Sequence, residues 1–198
     1  MKQKIVFVTG NKMKLEEAKK ILGNKYDVIN ESIDLTEIQS VNNKEVIKYK
    51  INEAYEIAAK KYGDDVMVMV EDTGLIFKNM GSFPGALIKF YKDNVGLKGI
   101  VKFNGGSKAV AITMIAIKSK NKTYLFEGRR NGHVITNQDK LNNYDNSSWD
   151  PIFIPEYPEK FKKYIGLTYS EIPKDIKNKM SHRYIAFEKL KNKMKIII

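Results

Sequence analysis

Residues 66–74 read VMVMVEDTG, five apolar residues running directly into Glu71 and Asp72. Acid groups beside a buried run are costly unless they serve a purpose. Strand ends are where α/β proteins hold their ligands. A carboxylate there can hold Mg²⁺, which takes oxygen ligands and bridges to phosphates, or act as a general base. The plainer reading is a pair of solvent-facing turn residues. LTEIQS supplies Glu37 as a partner carboxylate. Near the start, VFVTGNKMKLEE ends a strand and opens a helix at once. Helix N-termini carry free N–H groups and partial positive charge, and anions bind there. Gly10 permits close backbone approach, Thr9 and Asn11 offer hydrogen bonds, and Lys12 and Lys14 add charge, although no P-loop or dinucleotide fingerprint is present. The plainer reading is a capped strand–helix turn. KNKMSHRY gathers Lys177, His182 and Arg183. On an unbroken helix Lys177 and Arg183 lie about one and a half turns apart, whereas a break near Ser181 lets them converge. Finally, SSWDPIF puts the one tryptophan, Trp149, next to Asp150, which Pro151 restricts to extended conformations. This is either a structural turn or a pocket for a flat ring.

The elements that must position these groups alternate at first. KIVFV (4–8) reads as a buried strand, residues 11–22 as an amphipathic helix closed by Gly23, and YDVI as a second strand. Residues 42–63 place apolar side chains on one face of a long helix ending at Gly63. After the strand at 66–70 comes a Gly/Pro loop and a helix in NMGSFPGALIKFYKDN. Strands are expected at 109–117, 123–128 and 132–136, with another in PIFIP and a closing helix over 170–193 capped by Ser170 or Thr168. Strand–helix units followed by hairpins predict an α/β fold with a mixed sheet.

Composition narrows the function classes. The 198 residues are 42% hydrophobic and 29% charged, enough for a core in one sizeable domain. There are no cysteines, which excludes disulfides, thiolate catalysis and zinc–thiolate sites and fits a reducing compartment. No run approaches the roughly 18–20 apolar residues of a membrane span, and the start lacks a secretory signature. A cytoplasmic protein is expected. The net charge of +12 suits a polyanionic partner. The positive charge is scattered lysine, with arginine only at positions 129, 130 and 183. A basic nucleic-acid-binding domain is the alternative class, and the interleaved aromatic and basic motifs of such modules are missing. Nucleic acid and membrane are therefore not expected partners.

Five stretches in order, FVTGNKMKLEE, VEDTGLIFKNMGSFPGALIKF, FEGRRNGHVI, WDPIFIPEY and TYSEIPKDIKNKMSHRYIAF, resemble the inosine triphosphate pyrophosphatases, the non-canonical purine nucleoside triphosphate pyrophosphatase family. They span residues 7 to 187. The resemblance implies a long central mixed β-sheet with two α/β lobes flanking a deep cleft, in one catalytic domain over 1–198, usually as a homodimer. It implies hydrolysis of ITP, dITP and XTP to the monophosphate and pyrophosphate. By position, Thr9, Gly10, Asn11, Lys12, Met13 and Lys14 correspond to the phosphate-binding turn. Glu37 and Asp72 correspond to the Mg²⁺ ligands, Asp72 also to the general base, and Thr73 to a substrate contact. Ser147, Ser148, Trp149 and Asp150 fall where base and ribose are held, and Lys177, His182 and Arg183 resemble the basic group that closes on the nucleotide. One departure stands out. The family usually reads Phe-Gly-Trp/Tyr-Asp-Pro where this chain has Ser147 and Ser148, and that phenylalanine stacks on the purine. Stacking is worth roughly 1–3 kcal/mol per base, so the loss predicts base binding weakened about tenfold or more, with Tyr144 as the substitute ring and altered nucleotide specificity as the alternative. Discrimination against adenine calls for a hydrogen-bond donor facing the purine 6-oxo group.

Overall fold

The structure, a computed structural model, describes residues 3–120 and 122–197, without the side chains of 195–197. The terminal KIII, read from sequence as a tail or partner contact, therefore has its side chains outside the described residues. The described chain forms a seven-stranded sheet of order β2-β1-β3-β5-β6-β7, with β4 attached to the far end of β3. In chain order the elements are β1 (Gln3–Val8), α1 (Lys12–Leu22), β2 (Tyr26–Glu31), α2 (Asn43–Tyr62), β3 (Val68–Phe77), β4 (Pro84–Gly85) and α3 (Ile88–Asn104). Then follow β5 (Lys108–Ser119), β6 (Lys122–Val134), β7 (Phe153–Pro155), α4 (Lys174–Lys177) and α5 (His182–Ile197). β1 runs parallel to β2 and β3, and the remaining pairs are antiparallel, so the sheet is mixed as expected.

Three boundaries differ from the sequence expectation. The strand placed at 66–70 begins at Val68 and continues to Phe77, so Glu71 and Asp72 lie inside it rather than beyond its end. Ten-residue pairing with β5 carries β3 through the acidic pair. The strands placed at 123–128 and 132–136 are one strand, β6, because β5 offers an unbroken partner from Lys108 to Ser119. The closing helix over 170–193 is two helices, the four-residue α4 and the longer α5, and neither Ser170 nor Thr168 caps them. Ser181 does so instead, its hydroxyl accepting from the Tyr184 N–H at 3.2 Å.

The core is built on both faces of the sheet. Ile47, Ile51, Ala54 and Ala58 of α2 pack on Val6, Val68, Val70 and Met114. On the opposite face α1 and α5 bring Ala18, Leu22, Phe187 and Leu190 against Ile5, Phe7, Met69 and Ile115. A third cluster joins Leu75, Phe77 and Ala109 to Leu97 and Ile100 of α3 and to Trp149, Phe153, Phe161 and Tyr169. The segment PEKFKKY joins this cluster through buried Phe161, while Glu159, Lys160, Lys162 and Lys163 stay exposed. Fully burying each such side chain contributes about 1.5–3 kcal/mol. Between the third cluster and the first two, β3 loses its neighbour. β1 pairs with it only at Val68 and Met69, and β4 rejoins at Leu75. The open edge at residues 70–74 is where the cleft forms.

Candidate functional site

A cavity of about 340 Å³ opens at this edge. Asn11, Met13 and Lys14 come to it from the start of α1, Glu37 from the loop before α2, Lys50 from α2, and Asp72 and Thr73 from β3. Ser147, Ser148, Trp149, Asp150, Lys177, His182 and Arg183 close the other side. A second cavity adds Thr9, Gly10 and Glu71 and shares Asn11, Lys14, Glu37 and Lys50 with the first. Of the residues singled out from sequence for the site, Lys12 and Tyr144 line neither cavity, and both are exposed.

Strand alternation divides the acidic pair between two faces of the sheet. Asp72 faces α2. The Asn43 side-chain amide donates to its Oδ2 at 2.8 Å, and Lys50 Nζ sits 3.4 Å from Oδ1 and 2.7 Å from Glu37 Oε1. Gly74 makes room for Asn43, since a Cβ there would collide with the Asn43 amide. Burial pushes the Asp72 carboxyl above its usual range, a shift that Lys50, Lys14 and the Asn43 bond only partly oppose. Glu37 is held lower than usual, first by its hydrogen bond from Lys50.

Glu71 faces α1 and α5 and is buried, which corrects the solvent-facing turn reading. Its Oε1 accepts from Arg183 Nε at 3.0 Å and from the Thr73 hydroxyl at 2.9 Å, with Lys14 Nζ at 3.6 Å. Burial raises the Glu71 carboxyl, but the Arg183 and Lys14 charges outweigh it and leave it below the ordinary range. Arg183 also pairs with Glu17. Desolvation opposes its charge, yet Glu71 and Glu17 hold its guanidinium above its normal value.

The break at Ser181 lets Lys177 and Arg183 enter one cleft. Lys177 pairs with Asp150 and lies over the Tyr169 ring at 5.2 Å. Arg130 of β6 fixes the break by donating to the Met180 carbonyl at 2.7 Å and 3.0 Å. A Cβ at Gly128 would collide with the His182 carbonyl, so glycine in β6 permits the close approach of α5. His182 is buried against Trp149 (5.4 Å between rings) and Tyr169 (5.7 Å). Burial, then the nearby Arg183 and Lys177 charges, push it well below its usual range, so the ring is neutral. Neither of its nitrogens finds a partner among the described residues. Buried polar groups are normally hydrogen-bonded, and this imidazole borders the cleft.

The anion turn is preorganised but internally satisfied. Asn11 caps α1, its Oδ1 accepting from the N–H groups of Met13 (2.9 Å) and Lys14 (3.2 Å), while its own N–H donates to Thr9 Oγ1 at 3.1 Å. An incoming phosphate oxygen can take over these donors. Six lining residues of the 340 Å³ cavity are Lys or Arg against four Asp or Glu. The cleft therefore favours anions.

Trp149 is not a free stacking platform. It is 9% exposed and packs against Phe153, Tyr169 and His182. Tyr144, the substitute ring expected from sequence, is not among the cleft residues; the exposed ring lining the cleft is Phe90 of α3, 51% accessible. Its neighbours Lys89 and Lys92 line the cleft too. Sequence reasoning passed over Lys50, Lys89, Phe90, Lys92, Asn43 and Glu17. For Lys50 a signal existed: it interrupts the apolar stripe formed by Val46, Ile47, Ile51 and Ala54 on α2. The residues of α3 carried none.

The Ham1 family model matches residues 5–193 of this chain. The inosine triphosphate pyrophosphatase of Kluyveromyces lactis is 36% identical, covering 96% of this chain and 95% of the relative. That of Emericella nidulans is also 36% identical (94% and 93%), and that of Saccharomyces cerevisiae 35% identical (94% and 93%). Among solved structures, a HAM1 protein from Coxiella burnetii superposes with a TM-score of 0.74 at 22% identity, covering 98% of each chain. The nucleoside-triphosphatase / dITP/XTP pyrophosphatase of Mycobacterium abscessus gives 0.66 at 19% identity, covering 95% of this chain and 98% of that one. These two support the fold. Among the described residues no helix is long and apolar enough to cross a membrane.

Proposed function

The chain belongs to the Ham1 family, and from that premise we infer that it hydrolyses non-canonical purine nucleoside triphosphates (ITP, dITP and XTP) to the monophosphate and pyrophosphate. The observation that carries the reading is the convergence of Lys14, Lys50, Asp72, Lys177 and Arg183 on one cleft. The triphosphate lies along the Thr9–Lys14 turn, where N–H groups now bound to Asn11 and Thr9 become its ligands. Lys14 and Lys50 neutralise phosphate charge. Asp72 accepts the proton of the water that attacks the α-phosphorus. The bond to the β-phosphate oxygen then breaks and pyrophosphate leaves. Buried above its ordinary range, Asp72 is a better matched base than a surface aspartate. Little covalent work is needed, so positioning and charge stabilisation carry the rate.

Glu37 and Asp72 are also the donors for a divalent cation. Among the described residues no three acidic or histidine groups cluster for a metal. Two carboxylates completed by waters and phosphate oxygens suit Mg²⁺, and both already hold the Lys50 ammonium as a cationic stand-in. When bound, Mg²⁺ supplies charge neutralisation on the phosphoryl oxygens. Phe90 is the ring available to stack on the base; Ser147 and Ser148 border the same space. His182 and Arg183 face the nucleotide from α5. We further propose that the chain works as one catalytic domain of two lobes, as a homodimer, in the cytoplasm where the free nucleotide pool is. The test is purified protein with Mg²⁺ and ITP. Release of pyrophosphate with IMP supports the reading; release of orthophosphate with IDP overturns it.

A further inference from the structure

We propose that Lys92 is the donor that reads the 6-oxo group of the purine base. This rests on the hydrolase reading above and names what that reading lacks, the group that admits inosine and rejects adenine. Lys92 lies on α3 and lines the cleft beside Phe90, Ser147, Ser148 and Trp149. It is the one lysine among the buried polar residues described, its side chain 8% exposed. A buried ammonium is costly unless paired or used. Its pairing is partial. One hydrogen goes to Asp93 Oδ1 at 2.6 Å and another to the Asn146 carbonyl. An ammonium has three donors and no acceptor, and among the described residues no third partner occupies the last one.

The group is also held in place. The Asn146 side-chain carbonyl accepts from the Leu97 N–H at 3.2 Å, so α3 and the residue preceding Ser147 are tied at two points. Asp93, which also takes Lys89 at 3.1 Å, anchors the ammonium from the other side. The cleft thus presents a fixed, donor-only cation in the same lining as an exposed ring. A 6-oxopurine offers that cation the acceptor O6, whereas adenine places an amino donor at the 6-position and unsubstituted purine places neither. Lysine facing O6 with its remaining hydrogen gains with inosine, xanthine and guanine alike and opposes adenine donor to donor. It sets the choice at the 6-position and leaves the 2-position to other groups.

The experiment measures kcat/KM for ITP, GTP, ATP and the triphosphate of unsubstituted purine riboside, using wild type, Lys92→Met and Lys92→Gln. Loss of a specific base contact is worth about ten- to a hundredfold in discrimination. Lys92→Met is expected to lower ITP and GTP together by that factor and to leave purine riboside triphosphate within about threefold. Lys92→Gln can accept from an adenine amino group, so it is expected to erode the preference for ITP over ATP by about tenfold or more through a gain with ATP. If Lys92→Met does not fold, Lys92→Gln carries the test alone. Should ITP and purine riboside triphosphate fall in parallel, Lys92 is a structural tie for the loop and the inference is overturned. Unchanged ITP:ATP preference in the glutamine variant overturns it as well. Wild type that releases no pyrophosphate from ITP overturns the hydrolase reading and this inference with it, whereas an active wild type with unaltered preferences in the variants overturns this inference alone.

Discussion

Replacing Glu71 by glutamine tests the electrostatic frame of the site. The carboxylate side chain is 1% exposed and its partner Arg183 13% exposed, with Oε1 3.0 Å from Nε. Two unit charges about 3 Å apart attract by about 5 kcal/mol at an effective dielectric near 20, before desolvation is subtracted. Removing one partner of a buried pair typically costs about 3–5 kcal/mol. The variant should fall toward the lower end, because Glu17 still holds Arg183 and the amide oxygen can still accept from the Thr73 hydroxyl. A loss of about 2–4 kcal/mol lowers the melting temperature of a chain this size by roughly 5–15 °C. The pH dependence follows from the sign. The folded Glu71 carboxyl sits below its ordinary value. Its contribution is therefore present above the unfolded value of about 4.3 and is lost as pH falls through the folded one. The gap between wild type and Glu71→Gln, measured by urea unfolding, should be wide at neutral pH and narrow below about pH 4. A variant within about 1 kcal/mol of wild type at neutral pH refutes the buried pair as a structural anchor. So does a gap that stays constant on acidification.

Other perturbations separate chemistry from scaffold. Asp72→Asn should cut ITP turnover by about a hundredfold or more while circular dichroism stays native; near-normal turnover removes Asp72 from the base role. His182 is neutral because burial and flanking cations depress it, so the unfolded chain binds more protons below about pH 6.5 and stability falls there by at most about 1.4 kcal/mol per unit. His182→Gln should flatten that slope between about pH 7 and pH 5, and an unchanged slope assigns it elsewhere. Phe90→Ala should weaken ITP binding about tenfold or more, as loss of one stacked ring implies, and leave inhibition by inorganic tripolyphosphate unaltered; equal losses for both ligands mean the ring does not meet the base.

Much of the site was legible because ligand-binding turns are local. The strand–helix turn at Thr9–Lys14 and its Asn11 cap follow from adjacent residues, and the long helix α2 from its apolar period. The break at Ser181 could be posed from the string but not decided, since it depends on Arg130, 50 residues upstream, gripping the Met180 carbonyl. Glu71 could pass for a turn residue because its burial comes from Arg183, 112 residues away. The continuity of β3 and β6 was hidden for the same reason: each is extended by an unbroken partner in β5, not by its own composition. The sequence places its candidate substitute ring, Tyr144, near Trp149, but the exposed ring of the cleft is Phe90. That ring comes from α3, which approaches through the Asn146 contacts.

The most direct measurement follows ITP hydrolysis in isotopically labelled, heavy-oxygen water and locates the label by mass spectrometry. A base at Asp72 delivering water to the α-phosphorus predicts the heavy atom in the phosphate of IMP, with unlabelled pyrophosphate. Label in the pyrophosphate, or in orthophosphate, would contradict it.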